Sequence, residues 1–174
     1  MTNDKALRQE LTNLLVKRQA HLDFEDAVAD FPEDHINTVP PGCNYSFWQV
    51  LEHLRICQRD ILEYIVSDDY KWLKFPDNLW PEASLKADWA LWQETIDAFL
   101  TDRQKLVTIV NDSETDLFAV LPNSGEHGHT ISREINVIGS HNAYHTGGLV
   151  IMRQAVGIWR PPGLDLNDLF SEAN

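Results

Sequence analysis

Apolar positions recur at the 3.6-residue period in four long stretches of this chain, and each stretch predicts an amphipathic helix. The first runs from about Asn3 to Leu22, with Leu7, Leu11, Leu14, Leu15, Arg18 and Leu22 on one stripe. A short piece, Phe24 to Phe31, adds a turn or two of helix before Pro32 stops it. Pro40-Pro41-Gly42 breaks the following linker. Ser46, followed three residues later by Gln49, is a capping-box pattern, so the second long helix starts there and continues to about Ser67. Its stripe is Phe47, Val50, Leu51, Leu54, Cys57, Ile61 and Ile65.

The connection Asp68 to Glu82 carries Pro76, Pro81 and the aromatics Trp72, Phe75 and Trp80. A connection of that length in a compact domain usually crosses the bundle or covers a site. The third long helix runs from about Ser84 to Val110, striped by Trp89, Trp92, Ile96, Phe99, Arg103, Leu106 and Val110. Asn111 to His129 reads as loop. Thr130 is a suitable N-cap for the fourth helix, which ends at Gly157, with Pro161-Pro162-Gly163 beyond it and an acidic tail from Leu164 to Asn174. No segment alternates with period two and none repeats. Four long amphipathic helices joined by two long connections describe an all-α bundle, one domain over residues 1–174, with non-sequential pairing somewhere in it.

Composition narrows the function classes. The 174 residues are 43% apolar, which fits one globular domain with its own core. Asp and Glu number 27 against 14 Lys and Arg, a formal charge of −13, and no basic run exists to displace counterions from phosphates. Nucleic acid and anionic membrane are therefore not expected partners. Cys43 and Cys57 form no CxxC pair and no disulfide framework; Cys57 reads as a buried small hydrophobe. The N-terminal stretch lacks a secretory pattern, and no run approaches the roughly 18 apolar residues of a membrane span, so cytoplasmic residence is the expectation.

Of the seven histidines, His141 and His145 stand out. Residues four apart on a helix project from one face, and two imidazoles so placed reach a single ion. The same spacing also arises by chance on a polar face. HNAYH contains no Glu, so it is neither HExxH nor HxxEH, and a zinc peptidase is disfavoured. Gly147-Gly148 follows the pair, although each Gly costs about 1 kcal/mol in a helix interior. The pair reads equally as a tight helix crossing or as room for a ligand. His53, alone, reads as a satisfied core residue; a bundle, however, builds metal sites from facing helices, and a His midway along a second helix is what the pair requires. At about 1.5 Å per residue, Thr130 is roughly 17 Å along the helix from His141, so His127 and His129 are read as loop residues outside that site. His21 and His35 carry no usable context.

The segments YSFWQVLEHLRICQRDILEYI and HTISREINVIGSHNAYHTGGLVIMRQAVGIW, together with LDFEDAVADFPEDHINTVPPG, LWPE and DLFAVLP, resemble the DinB-like (YfiT-like) family over Leu22 to Trp159. The resemblance implies a four-helix bundle with up-down-down-up order. It implies one divalent metal ion on His53, His141 and His145, and a homodimer. It also implies relatives that include thiol-dependent transferases and isomerases using bacillithiol, mycothiol or glutathione. Two positions depart from the family. Ser140 stands where relatives often carry an acidic residue, and Gly147-Gly148 where they often read Gly-Gln.

Three neutral imidazoles leave coordination positions open, the arrangement of catalytic rather than structural sites. Zn or Ni suits such ligands, with Mn or Fe also compatible. The expected activity is a metal-dependent transferase that activates a small thiol. A metal-dependent hydrolase and a non-catalytic, stress-associated metal-binding dimer are the alternatives. Trp48, Asn142, Tyr144 and Arg153 are the candidate pocket residues.

Overall fold

The computed structural model describes residues 3–159, so the expectations for the tail and for Pro161-Pro162-Gly163 lie outside the described residues. Five α-helices follow in order: α1 (Asn3–Val16), α2 (Phe24–Val28), α3 (Phe47–Val66), α4 (Trp89–Asn111) and α5 (Ile131–Ala155). Among the described residues there is no strand, and Val120 and Thr130 form one isolated antiparallel bridge. No helix in this range is long and apolar enough to cross a membrane.

The cap chemistry read in the sequence sets several boundaries. Ser46 Oγ accepts the Gln49 N–H at 3.2 Å, and Gln49 Oε1 accepts the Ser46 N–H at 2.9 Å, so two otherwise orphaned donors at the start of α3 are satisfied. Thr130 caps α5 through the Arg133 N–H. Gly157, at φ 76°, adopts the left-handed conformation just beyond its end.

Three expected boundaries move. The first helix ends at Val16 rather than Leu22, because Arg18 leaves the helical path to pair with Asp26, its Nε 2.7 Å from Oδ2. Asp23 and Asp26 then form a capping box on α2, which stops at Val28 rather than Phe31. The third long helix begins at Trp89 rather than near Ser84, because Asp88 Oδ1 takes the Leu91 N–H and fixes the N-cap.

Two core clusters give the directions. Phe47, Leu51 and Leu54 from the start of α3 pack with Trp92 and Phe99 from the first half of α4, and with Leu149 and Met152 from the end of α5. At the opposite end, Leu62, Leu106 and Val110 from the later halves of α3 and α4 meet Ile135 and Ile138 from the beginning of α5. Hence α3 and α4 run the same way and α5 runs against both. Near its N-terminus, α1 holds the end of α4: Arg8 donates to the Val110 carbonyl at 2.8 Å and the Asp112 carbonyl at 2.9 Å. So α1 opposes α4 and runs with α5. The order is up-down-down-up, with α3 packed on α4 and α5, and α1 packed on the same two helices. Each fully buried Trp92, Phe99 or Leu106 side chain contributes about 1.5–3 kcal/mol by leaving water.

Of the two readings of Gly147-Gly148, the tight crossing is not found there. A Cβ on Gly147 or Gly148 would meet nothing within 4 Å, and both residues are exposed. A Cβ on Gly139 would sit 2.6 Å from Leu14 Cγ, so α1 and α5 touch there. The glycine that matters for packing sits on the buried face, where the absent side chain lets a neighbouring helix approach.

Candidate metal centre

His53 projects from the first half of α3, and His141 and His145 from successive turns of α5. Because α3 and α5 are antiparallel neighbours, the middle of one faces the middle of the other. The three residues each offer a ligand atom, and those atoms all lie within 4.8 Å of one another. Nε2 of His53 and Nε2 of His141 are 3.1 Å apart. Two nitrogens sharing a tetrahedral ion at about 2.0–2.1 Å would stand about 3.3 Å apart. Ring centroids are separated by 4.7 Å between His53 and His145 and 4.5 Å between His141 and His145.

The connection between α3 and α4 acts as a strap along α3. Tyr70 donates its hydroxyl proton to Asp60 at 2.7 Å. The Leu79 carbonyl lies 2.6 Å from His53 Nδ1, and the Ala83 carbonyl receives the Gln49 amide at 3.1 Å. A carbonyl only accepts, so His53 carries its proton on Nδ1 and turns the Nε2 lone pair toward the other two histidines. Trp80 stacks on the His53 ring with centroids 3.8 Å apart, and Tyr45 stacks on the far face of that contact, 3.8 Å from Trp80. The His53 plane is thus fixed by a backbone hydrogen bond and an aromatic layer.

Burial pushes all three imidazoles below the ordinary histidine value. His145 falls furthest, to about 4, with His141 and His53 adding like-charge repulsion to the desolvation. For His53 the Leu79 hydrogen bond pulls the other way, and for His141 the Asn142 amide does. The triad is therefore three neutral nitrogen donors, a set that suits an imidazole-preferring divalent cation. Nδ1 of His141 is buried without a partner, as is Oδ1 of Asn142. The donor set and the spacing of its nitrogens fit one cation.

A sequence model of the DinB superfamily matches residues 18–149. The chain belongs to the DinB superfamily. No curated protein and no solved structure matches it. Within this DinB chain, the matched span takes in His53, His141 and His145 together with the strap that covers His53.

The four expected pocket residues separate. Trp48 is buried in the core, its Nε1–H donating to Thr95 Oγ1 at 3.3 Å. Arg153 is 1% exposed and spent on backbone carbonyls, with Nη1 2.9 Å from both Ala27 and Ala29, and it stacks over Phe31; it clamps α2 to α5 instead of lining the histidine site. Tyr144 is 76% exposed and touches His145 edge-on from outside. Asn142 alone points inward, donating Nδ2–H to Gln58 Oε1 at 3.0 Å.

No part in the site was read from the sequence for Tyr45, Leu79, Trp80, Cys57 or Gln58. For Trp80 the signal was the cluster of aromatics in a long connection. Cys57, expected to be a buried small hydrophobe, is partly buried one turn beyond His53, with Sγ 3.5 Å from Nδ1. Burial, then the charge of Asp60, pushes its thiol up to about 12, so it stays protonated near neutrality. His129 lies outside the triad as expected, within 3.0 Å of the Tyr64 hydroxyl.

Proposed function

We propose that His53, His141 and His145 hold one divalent metal ion, Zn or Ni in first place and Mn or Fe as further options, and that this DinB protein uses it in a transferase reaction of a small thiol. The observation that carries the reading is the convergence of three neutral imidazole nitrogens within 4.8 Å, His53 buried and the α5 pair half-buried, with His53 already fixed in the ligating tautomer by Leu79. When bound, such an ion supplies positive charge that stabilises a thiolate near neutral pH. The chain's own residues bind and orient: α5 sets the pair, α3 and the strap set the third imidazole, and Trp80 shields it from water. The thiol sulfur forms a new bond to an electrophilic carbon, the leaving group departs with its electron pair, and the thiol proton goes to solvent. Bacillithiol, mycothiol and glutathione are the class of compound intended.

The test pairs glutathione, bacillithiol or mycothiol with a chromogenic aryl chloride, using protein loaded with Zn²⁺ or Ni²⁺. Turnover should exceed that of chelator-treated protein and vanish in His145→Ala. Rates equal in wild type and His145→Ala, with metal content lost in the variant, would end the catalytic reading. Faster release of product with water than with any thiol would favour hydrolysis instead.

A second copy of this chain is the partner we assign to the outer face of α5. Val137, Tyr144 and Ile151 are exposed by 40%, 76% and 63% and recur every seven residues, with Ser140 and the open Gly147-Gly148 pair between them. No charged residue interrupts that stripe in a chain of formal charge −13. Two like-charged copies approach at least electrostatic cost through an uncharged face. A two-fold pairing would let each Tyr144 cover the glycine pair opposite.

A further inference from the structure

The chain lacks an acidic residue at position 140, where Ser140 is exposed, yet His141 needs an acceptor for the proton that metal ligation through Nε2 would leave on Nδ1. A chain of buried amides ends beside it. Gln58 is fully buried, and its Nε2 donates to the Phe99 carbonyl at 2.6 Å. That carbonyl only accepts, so the orientation of the Gln58 amide is fixed. Gln58 Oε1 must then accept, and Asn142 Nδ2 donates to it at 3.0 Å. Asn142 is left with its Oδ1 as a buried acceptor without a partner, and the neighbouring residue, His141, has a buried Nδ1 without a partner. The polarity runs one way through three residues and terminates in an unpartnered acceptor on the residue that follows His141, whose own Nδ1 has no hydrogen bond.

We propose that Asn142 is the positioning residue of His141: its Oδ1 accepts the Nδ1 proton when Nε2 of His141 ligates the metal, with Gln58 and the Phe99 carbonyl holding the amide in that sense. This rests on the metal-site reading above. The amide does for His141 what the Leu79 carbonyl does for His53, so the two ligands from different helices are oriented by two independent acceptors. An unpaired buried polar atom is costly, and the pairing satisfies two at once.

The experiment uses the full chain with Zn²⁺ as probe. Nitrogen–proton NMR of the imidazole rings in Zn²⁺-loaded wild type should show His141 protonated on Nδ1 with a slowly exchanging proton. Competition with a chromophoric chelator should show Zn²⁺ binding weakened about ten- to a hundredfold in Asn142→Leu, the usual loss for an outer-shell partner. Asn142→Asp, which keeps the acceptor, should retain most of the affinity. A freely exchanging Nδ1 proton in the wild type overturns the assignment whatever the variants do. So does equal loss in the Asp and Leu variants, which would make Asn142 a packing partner of Gln58 alone. Wild type that binds no Zn²⁺ at all overturns the metal site itself and this inference with it; wild type that binds with no dependence on Asn142 overturns only the latter.

Discussion

Trp80 lies flat on His53, with ring centroids 3.8 Å apart and planes 2° from parallel. The contact joins a long connection to the middle of a core helix, and the adjacent Leu79 carbonyl receives the His53 Nδ1 proton at 2.6 Å. Trp80→Ala removes the stacked layer and loosens the carbonyl beside it. Zn²⁺ affinity, read by chelator competition, should fall about tenfold, the lower end of an outer-shell loss. Trp80→Phe should restore most of it. Unchanged affinity in Trp80→Ala would mean that the strap merely covers the helix.

Loading the triad should stabilise the fold, because a cation that binds only the folded chain adds its binding energy to the folding equilibrium. At a free Zn²⁺ concentration a hundred times Kd the gain is about 2.7 kcal/mol. In a domain of this size that is about 5–10 °C in Tm. Differential scanning calorimetry should show the shift in wild type and lose it in His53→Ala, His141→Ala and His145→Ala. Elemental analysis of the same variants should show no stoichiometric metal.

The metal-free protein should weaken as pH falls below the ordinary imidazole value. Burial holds His145 down to about 4 in the folded chain against the ordinary 6.5 when unfolded, and His53 and His141 are lowered too. Between those limits the unfolded chain binds more protons, so stability is fully present above about 6.5 and drains away toward about 4. Urea midpoints should drop between pH 7.5 and pH 5, and less steeply in His145→Gln. A flat profile would contradict the burial of these rings.

Gly139→Ala tests the crossing of α1 and α5. The new methyl group would lie 2.6 Å from Leu14 Cγ. Overpacking typically costs about 1–3 kcal/mol, against a helix-propensity gain of about 1 kcal/mol. The net result should be a lower Tm by thermal melt. A higher Tm would show that Leu14 repacks freely.

Tyr144→Glu places a charge on the uncharged face of α5. If that face pairs two copies, sedimentation should show a dimer in wild type and a monomer in the variant, with helix content unchanged. A wild-type monomer at high protein concentration would remove the second copy from the proposal.

The four long helices were legible because burial imposes a 3.6-residue rhythm, and because Ser46, Gln49 and Thr130 satisfy end groups locally. The His141–His145 pair was legible for the same reason: its spacing is a property of one helix. The C-terminal end of α1 was not, since Arg18 pairs with Asp26 across the break to α2; the start of α4 is set locally by the Asp88 cap on the Leu91 N–H, which the periodicity did not single out. Gly147 and Gly148 read equally as a crossing or as room for a ligand, and Gly139 was overlooked, because a sequence does not say which side of a helix meets another.

By itself the sequence determined the number of long helices and the caps of two of them, the two chain breaks rich in proline, the strong negative charge and the helical pairing of two histidines. Each of these depends on residues within a few turns of one another. Only the tertiary structure brought His53 within 3.1 Å of His141, laid Trp80 and Leu79 against it, and turned Asn142 inward while Tyr144 faces out. Those relationships join residues far apart in the chain, and they are set by how antiparallel helices bury their faces, which no local pattern encodes.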